Sequence, residues 1–171
     1  MTDPSSTIRD SLRFVLIRDL RSLDAQIAAY PDDESPWRVV PGISNSAGNL
    51  VLHLAGNLRH FLGATLGGTN YVRDRATEFS TKGLSRADLR REVQAAITDV
   101  ELALTRISGE QLDATYPLPI ADRHVRTTEF LVHLAVHLTY HLGQIDYHRR
   151  ILTPDPKTVE NLSIRELPEA K

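Results

Sequence analysis

Four histidines, His133, His137, His141 and His148, recur between Thr127 and Leu152 at intervals of four and seven. Only a helix places such positions along one line, because side chains three, four or seven apart share a face. Thr127 or Thr128 can cap this helix at its start, and Pro154-Asp155-Pro156 stops it by removing a donor and disfavouring helical geometry. His137 and His141, at i and i+4, have the spacing for two imidazoles to grip one metal ion. One helix face supplies only part of a coordination shell. A chain built around this stretch therefore needs a second element to bring the next ligand.

Three further segments carry the helical period. The first can be capped by Ser5 or Ser6 and runs to about Tyr30, with Ile8, Leu12, Val15, Leu16, Leu20, Leu23 and Ile27 three or four apart. Pro31 to Pro36 ends it, and Trp37 in the following loop is placed to seal one end of the core. The second opens at the caps Ser44-Asn45-Ser46 and continues to about Leu66, burying Ala47, Val51, Leu54, Leu58, Phe61 and Leu62 before Gly67-Gly68. The third opens at the capping-box pattern Ser85 to Asp88, follows Leu89, Val93, Ala96, Ile97, Val100, Leu104 and Ile107, and ends at Ser108-Gly109. Residues 67–84 read either as a lid over a pocket mouth or as a solvated loop pinned by Tyr71 and Phe79. Pro117 and Pro119 make the stretch before the last helix an extended crossover, without a fifth helix. The predicted fold is all-α: a four-helix bundle with longer crossover connections after the second and third helices. It occupies 1–171 as one domain, with a core at about 8–152 and a polar tail at 153–171.

Composition narrows the function. The chain has no cysteine, which excludes disulfides, a thiolate nucleophile and any thiolate metal site. A net charge of -2 and a pI near 6.4 give no reason to expect nucleic acid or an anionic membrane as partner. No apolar run reaches the roughly 18 residues of a membrane span, and Met1 to Ser6 lacks the pattern of a signal peptide, so a cytoplasmic protein is expected.

His53 is the histidine best placed to complete the pair. At about 100° per residue it lies roughly 120° from the centre of the second helix's buried stripe, at the core edge and beside Asn57 and His60. Three imidazoles with one or two waters form an open site suited to zinc, with nickel or iron as alternatives. His60, two turns beyond His53, reads as a pocket residue, and His133, one turn before His137, reads as a neighbour supporting it or as a further ligand. His148 reads as a surface or hydrogen-bonded residue, and His124 has no assigned role. No Glu separates His137 from His141, so this is not the His-Glu-x-x-His protease signature.

Asn45-Ser46-x5-Leu52-His53-Leu-Ala-Gly-Asn57, followed by His137-Leu-Thr-Tyr-His141-Leu-Gly-Gln144-Ile, resembles the DinB superfamily of bacterial helical bundles. Arg73-Asp74 and Glu78-Phe79 resemble a branch of that superfamily in which a similar loop follows the first histidine helix. The resemblance implies that His53, His137 and His141 bind a divalent metal, in agreement with the helix geometry. It further implies a thiol-dependent chemistry, as in bacillithiol S-transferases and a mycothiol-dependent maleylpyruvate isomerase, in which the metal activates a low-molecular-weight thiol against a small electrophile. Asn57, Tyr140, Gln144 and Arg73 would then orient substrate or water. A metal-dependent hydrolase and a non-catalytic stress-response module are the alternatives. Bundles of this kind often form homodimers, through a face the sequence does not reveal.

Overall fold

The computed structural model describes residues 4–153 together with 155 and 159, so the tail expected at 153–171 lies almost wholly outside the described residues. Six α-helices form among the described residues: α1 (Pro4–Ala28), α2 (Ala47–Leu58), α3 (Arg75–Ser80), α4 (Arg86–Arg106), α5 (Gly109–Asp113) and α6 (Thr127–Leu152). The long ones, α1, α2, α4 and α6, make the bundle. α1 and α2 each pack against both α4 and α6, which puts α1 and α2 at opposite corners. The connections from α1 to α2 and from α4 to α6 therefore cross the bundle; α2 and α4 are neighbours, so the crossover expected after the second helix falls after the first instead.

The apolar stripes meet as their spacing requires. Leu16, Leu20, Leu23 and Ile27 of α1 are fully buried against Leu54 of α2, Val93, Ala96 and Val100 of α4, and Leu131 and Leu138 of α6. Ile8 is left 38% exposed. Trp37 packs on the end of the core and donates its indole N–H to the Leu84 carbonyl at 2.8 Å, so it closes that end and ties two connections together. Among the described residues no helix is long and apolar enough to cross a membrane.

Three local expectations need correction. Residues 67–84 are not all loop: Asp74 caps α3 by accepting from the Thr77 N–H, a signal that alternating charge in the segment obscured. Ser108 does not simply end α4, since with Gln111 it forms a second capping box that starts the five-residue α5. Thr127 and Thr128 do not cap α6; their hydroxyls donate to the carbonyls of Ala114 and Leu112 and anchor the crossover.

α2 does not stop at Leu58. It continues through a wider π turn at Arg59–Ala64, where the Thr65 N–H reaches the His60 carbonyl five residues back. Gly63 makes that turn possible against α4, because a Cβ there would sit 2.8 Å from the Asp99 Cβ. Arg59 fixes the turn by pairing with Asp99 and Glu92 of α4.

His148 takes the hydrogen-bonded alternative. Its Nε2–H donates to the Arg38 carbonyl at 2.8 Å, and its Nδ1 accepts from the Tyr30 hydroxyl at 2.6 Å. Burial holds its pKa below the usual 6.5, reinforced by the Arg38 charge and opposed by the bond to the Arg38 carbonyl. The folded state thus prefers neutral His148, whose contribution is complete above pH 6.5 and is lost as pH falls towards the lowered folded value. We expect the urea midpoint to fall more steeply below pH 6.5 in the wild type than in His148→Gln; equal slopes would contradict this role.

Candidate metal centre

His53 on α2 and His137 and His141 on α6 bring one ring nitrogen each to within 4.8 Å of one another. The rings meet edge-on: His137 and His141 have centroids 4.6 Å apart with planes at 89°, and His53 lies at 5.1 and 5.6 Å from them. His53 Nε2 and His137 Nε2 are 3.3 Å apart. Metal–nitrogen bonds of about 2.0–2.1 Å in a tetrahedral shell place adjacent nitrogens about 3.3 Å apart, so this edge already fits an ion.

Side chains behind the triad fix which nitrogens face inward. Glu78 Oε2 lies 3.0 Å from His53 Nδ1, and a carboxylate can only accept, so Nδ1 carries the proton and the lone pair of a neutral ring is on Nε2. Arg73 Nη2 also approaches Nδ1, at 3.3 Å, but its shorter bond is to Glu78 Oε2 at 2.9 Å, with Arg73 Nε on Oε1 at 2.7 Å. We therefore read Arg73 as a partner of Glu78. On α6, His141 Nδ1 donates to Gln144 Oε1 at 2.7 Å, which leaves its Nε2 free. A metal-ligating histidine is oriented by just such partners.

Electrostatics agree with the geometry. Burial pushes the His137 pKa down to about 4, with His141, His53, His133 and Arg73 adding repulsion. His141 is lowered by burial, opposed by its bond to Gln144, and lowered further by His53. Burial works to raise Glu78, but the hydrogen bonds from His53 and Arg73 and the Arg73 charge overcome it, and the carboxyl titrates below its usual range. The site thus offers two imidazoles held neutral, His137 and His141, with one ionised carboxylate behind His53. That set fits a divalent cation.

The remaining candidates divide. Arg73 acts on His53 through Glu78, and Gln144 bonds His141 directly. Tyr140, 63% exposed, sets its ring 5.2 Å from His141. His133 stacks on His137 at 6.2 Å and on Phe130 at 6.1 Å, a ring contact outside the group of converging nitrogens. His60 falls on the π turn against Phe61, with its pKa lowered by burial and then by Arg73, and is not one of the converging three. Asn57 is buried one turn beyond His53, and its Oδ1 has no hydrogen-bond partner.

The sequence reading did not give Glu78 a role in the site. It reaches His53 because α3 is strapped to the start of α2: Asn49 Nδ2 donates to the Glu78 and Thr81 carbonyls at 3.0 and 2.9 Å, and Ser46 donates to Asn49 Oδ1. Phe79 then lies 5.0 Å from the His53 ring. Segment 67–84 is neither a free lid nor a solvated loop. It forms the back wall of the centre.

The front is open. A cavity of about 440 Å³ runs from His141 and Gln144 between the start of α2 and the last turns of α6, lined also by Ile43, Leu50, Tyr140 and Tyr147. Among the described residues no Asp, Glu, Lys or Arg lines it. Its size falls in the range of small-molecule sites, roughly 300–1,000 Å³.

A helical bundle that brings three imidazoles together, with His141 lining an open cavity beside them, defines a class of candidate metal-binding bundles. The chain belongs to the DinB superfamily, whose family model matches residues 16–145. It is similar in fold to the crystal structure of a DinB-like protein from Bacillus cereus, with a TM-score of 0.61 and 17% identity over 78% of this chain and 85% of that one. No curated protein matches the chain.

Proposed function

We propose that this bundle is a divalent-metal-dependent S-transferase that joins a low-molecular-weight thiol to a small, uncharged electrophile. The observation that carries this reading is the convergence of three imidazoles, one of which, His141, also lines a cavity that no charged side chain lines among the described residues. A divalent ion, with zinc the first candidate and nickel or iron the alternatives, would supply the Lewis acidity that ionises a thiol near neutral pH. Glu78 and Arg73 keep the proton on His53 Nδ1, and Gln144 keeps it on His141 Nδ1, so both Nε2 atoms face the centre. The apolar and tyrosine-lined wall would hold the electrophile out of water while carbon–sulfur bond formation displaces its leaving group.

Glu78 is not placed as a general base, because both its oxygens are committed to Arg73 and one to His53.

The test is direct. Protein purified without a histidine tag should carry about one divalent ion per chain. It should accelerate conjugation of 1-chloro-2,4-dinitrobenzene with at least one of cysteine, glutathione, bacillithiol or mycothiol, releasing chloride as the new carbon–sulfur bond forms. Ester cleavage without any thiol would assign a hydrolase instead, and a metal with no exchangeable position would assign a non-catalytic module. Metal-free protein that takes up no ion would overturn the reading altogether.

A further inference from the structure

A second cavity lies on the N-terminal side of His137, whereas the first runs from His141 towards the other end of α6. Its volume is about 270 Å³, and it is lined by Glu129, Phe130 and His133 of α6 and by Ile120, Arg123 and Val125 of the crossover. The crossover folds back on itself there. Ile120 and Arg123 exchange both backbone hydrogen bonds, at 2.9 and 3.0 Å, around a two-residue turn in which Ala121 and Asp122 both have positive φ. Residues paired across such a turn share a face, so Ile120 and Arg123 line the cavity together. Tyr116 anchors the base of this hairpin, its hydroxyl donating to the Phe61 carbonyl at 2.7 Å. The Arg123 guanidinium and the Glu129 carboxylate thus line one space. Among the described residues neither side chain has a hydrogen bond or ion pair, to the other or to any other group.

We propose that this cavity receives a free amino-acid head on the thiol, with Arg123 taking the α-carboxylate and Glu129 the α-ammonium. The proposal rests on the thiol chemistry above for its ligand and on this cavity for the recognition. Two opposite charges held apart in one pocket match a zwitterion. The first cavity has no charged lining residue among the described residues, so it suits the electrophile and has no ionic partner for such a head. The rings of Phe130, His133 and His137 form a stack that leads from the pocket to the centre, with centroids 6.1 and 6.2 Å apart and planes 13° and 19° from parallel. The body of the thiol lies along that stack. Reach then selects among thiols. Glu129, His133 and His137 are four residues apart, so about 12 Å of helix rise separates Glu129 from His137. In a γ-glutamylcysteine the α-carbon of the head is seven bonds from the sulfur, roughly 8 Å when extended, and a hydrogen bond to Glu129 adds about 3 Å. A free cysteine has two such bonds, spans roughly 3 Å, and cannot engage both ends. The site is therefore built for a γ-glutamyl type of thiol.

S-methylglutathione carries this head, and its methylated sulfur cannot ionise, so it reports on the pocket without metal or reaction. Titrated into the metal-free full chain and followed by NMR, it should give saturable amide shifts centred on residues 120–133. Arg123→Glu should raise its dissociation constant by about tenfold or more, with circular dichroism and metal uptake unchanged. Acylating the amino group of the probe should weaken binding to the wild type about tenfold and have little further effect in Glu129→Gln. Shifts absent from 120–133, or an unchanged dissociation constant in Arg123→Glu, overturn the proposal. The conjugation assay separates it from the proposed function. There KM for γ-glutamylcysteine should lie well below that for 2-mercaptoethanol, and Arg123→Glu should remove the difference while KM for the electrophile stays the same. Conjugation with equal KM for the two thiols refutes the subsite and leaves the metal chemistry standing. A probe bound at 120–133 with no conjugation of any thiol refutes the chemistry and leaves the amino-acid site standing.

Discussion

His137→Ala should produce a folded bundle that no longer retains metal through purification. His137 Nε2 stands 3.3 Å from His53 Nε2, and its ring contacts that of His141, so it links the α2 ligand to the α6 ligand. Without it the remaining pair cannot make the three-sided shell that a catalytic metal site requires. Losing an outer partner of a metal ligand already costs about 10–100-fold in affinity, and loss of the ligand itself should exceed that. The bundle should still fold. His137 is only partly buried and its ring titrates at about 4, so the metal-free wild type stabilises the fold little through this side chain. Alanine at this half-buried helix position should cost about 1 kcal/mol. Metal analysis and a denaturation curve on the same preparation check both halves. Full metal content in His137→Ala would remove the basis of the proposed chemistry, whereas unfolding would show the histidine to be structural.

The parts of this molecule that repeat were legible in its sequence, and the parts made by contact across the fold were not. The four bundle helices follow from apolar intervals of three and four, and from punctuation such as Pro31, Gly67-Gly68 and Ser85. His53, His137 and His141 could be selected because a helix has a fixed angular step, so the edge of a stripe can be located without coordinates. Glu78 had no comparable signal. It lies in a segment whose charges look solvated, and its burial depends on a strap made by Asn49, four residues before His53, to carbonyls about 30 residues further on. The π turn was equally hidden, because Arg59–Ala64 keeps an ordinary helical composition and widens only where Gly63 meets Asp99. α5 was missed for a different reason: two later prolines suggested an extended chain, but they follow the helix and do not interrupt it.

Glu78 also gives the sharpest means of separating stability from metal binding. Glu78→Ala should cost about 3–5 kcal/mol, because it leaves Arg73 with 12% of its side chain exposed and no counter-charge. That result alone would not reveal whether Glu78 serves the metal. Glu78→Gln keeps the size of the side chain but makes it neutral. Its single carbonyl oxygen can accept from His53 or from Arg73, and its amide must then face the other donor. Adding Arg73→Met removes that conflict and the unpaired charge, so the double variant should recover most of the stability. It should not recover the metal. His53 would still lack the carboxylate that raises its basicity and holds its ring, and affinity should stay about 10–100-fold below wild type. Gly56→Ala approaches the same carboxylate from the other side. A Cβ there would collide with Glu78 Oε1, and the oxygen cannot retreat while Arg73 holds both carboxylate oxygens. If metal affinity in the double variant returned together with stability, Glu78 would be a partner for Arg73 and nothing more. If affinity remains low in both the double variant and Gly56→Ala, the carboxylate acts on the metal through His53.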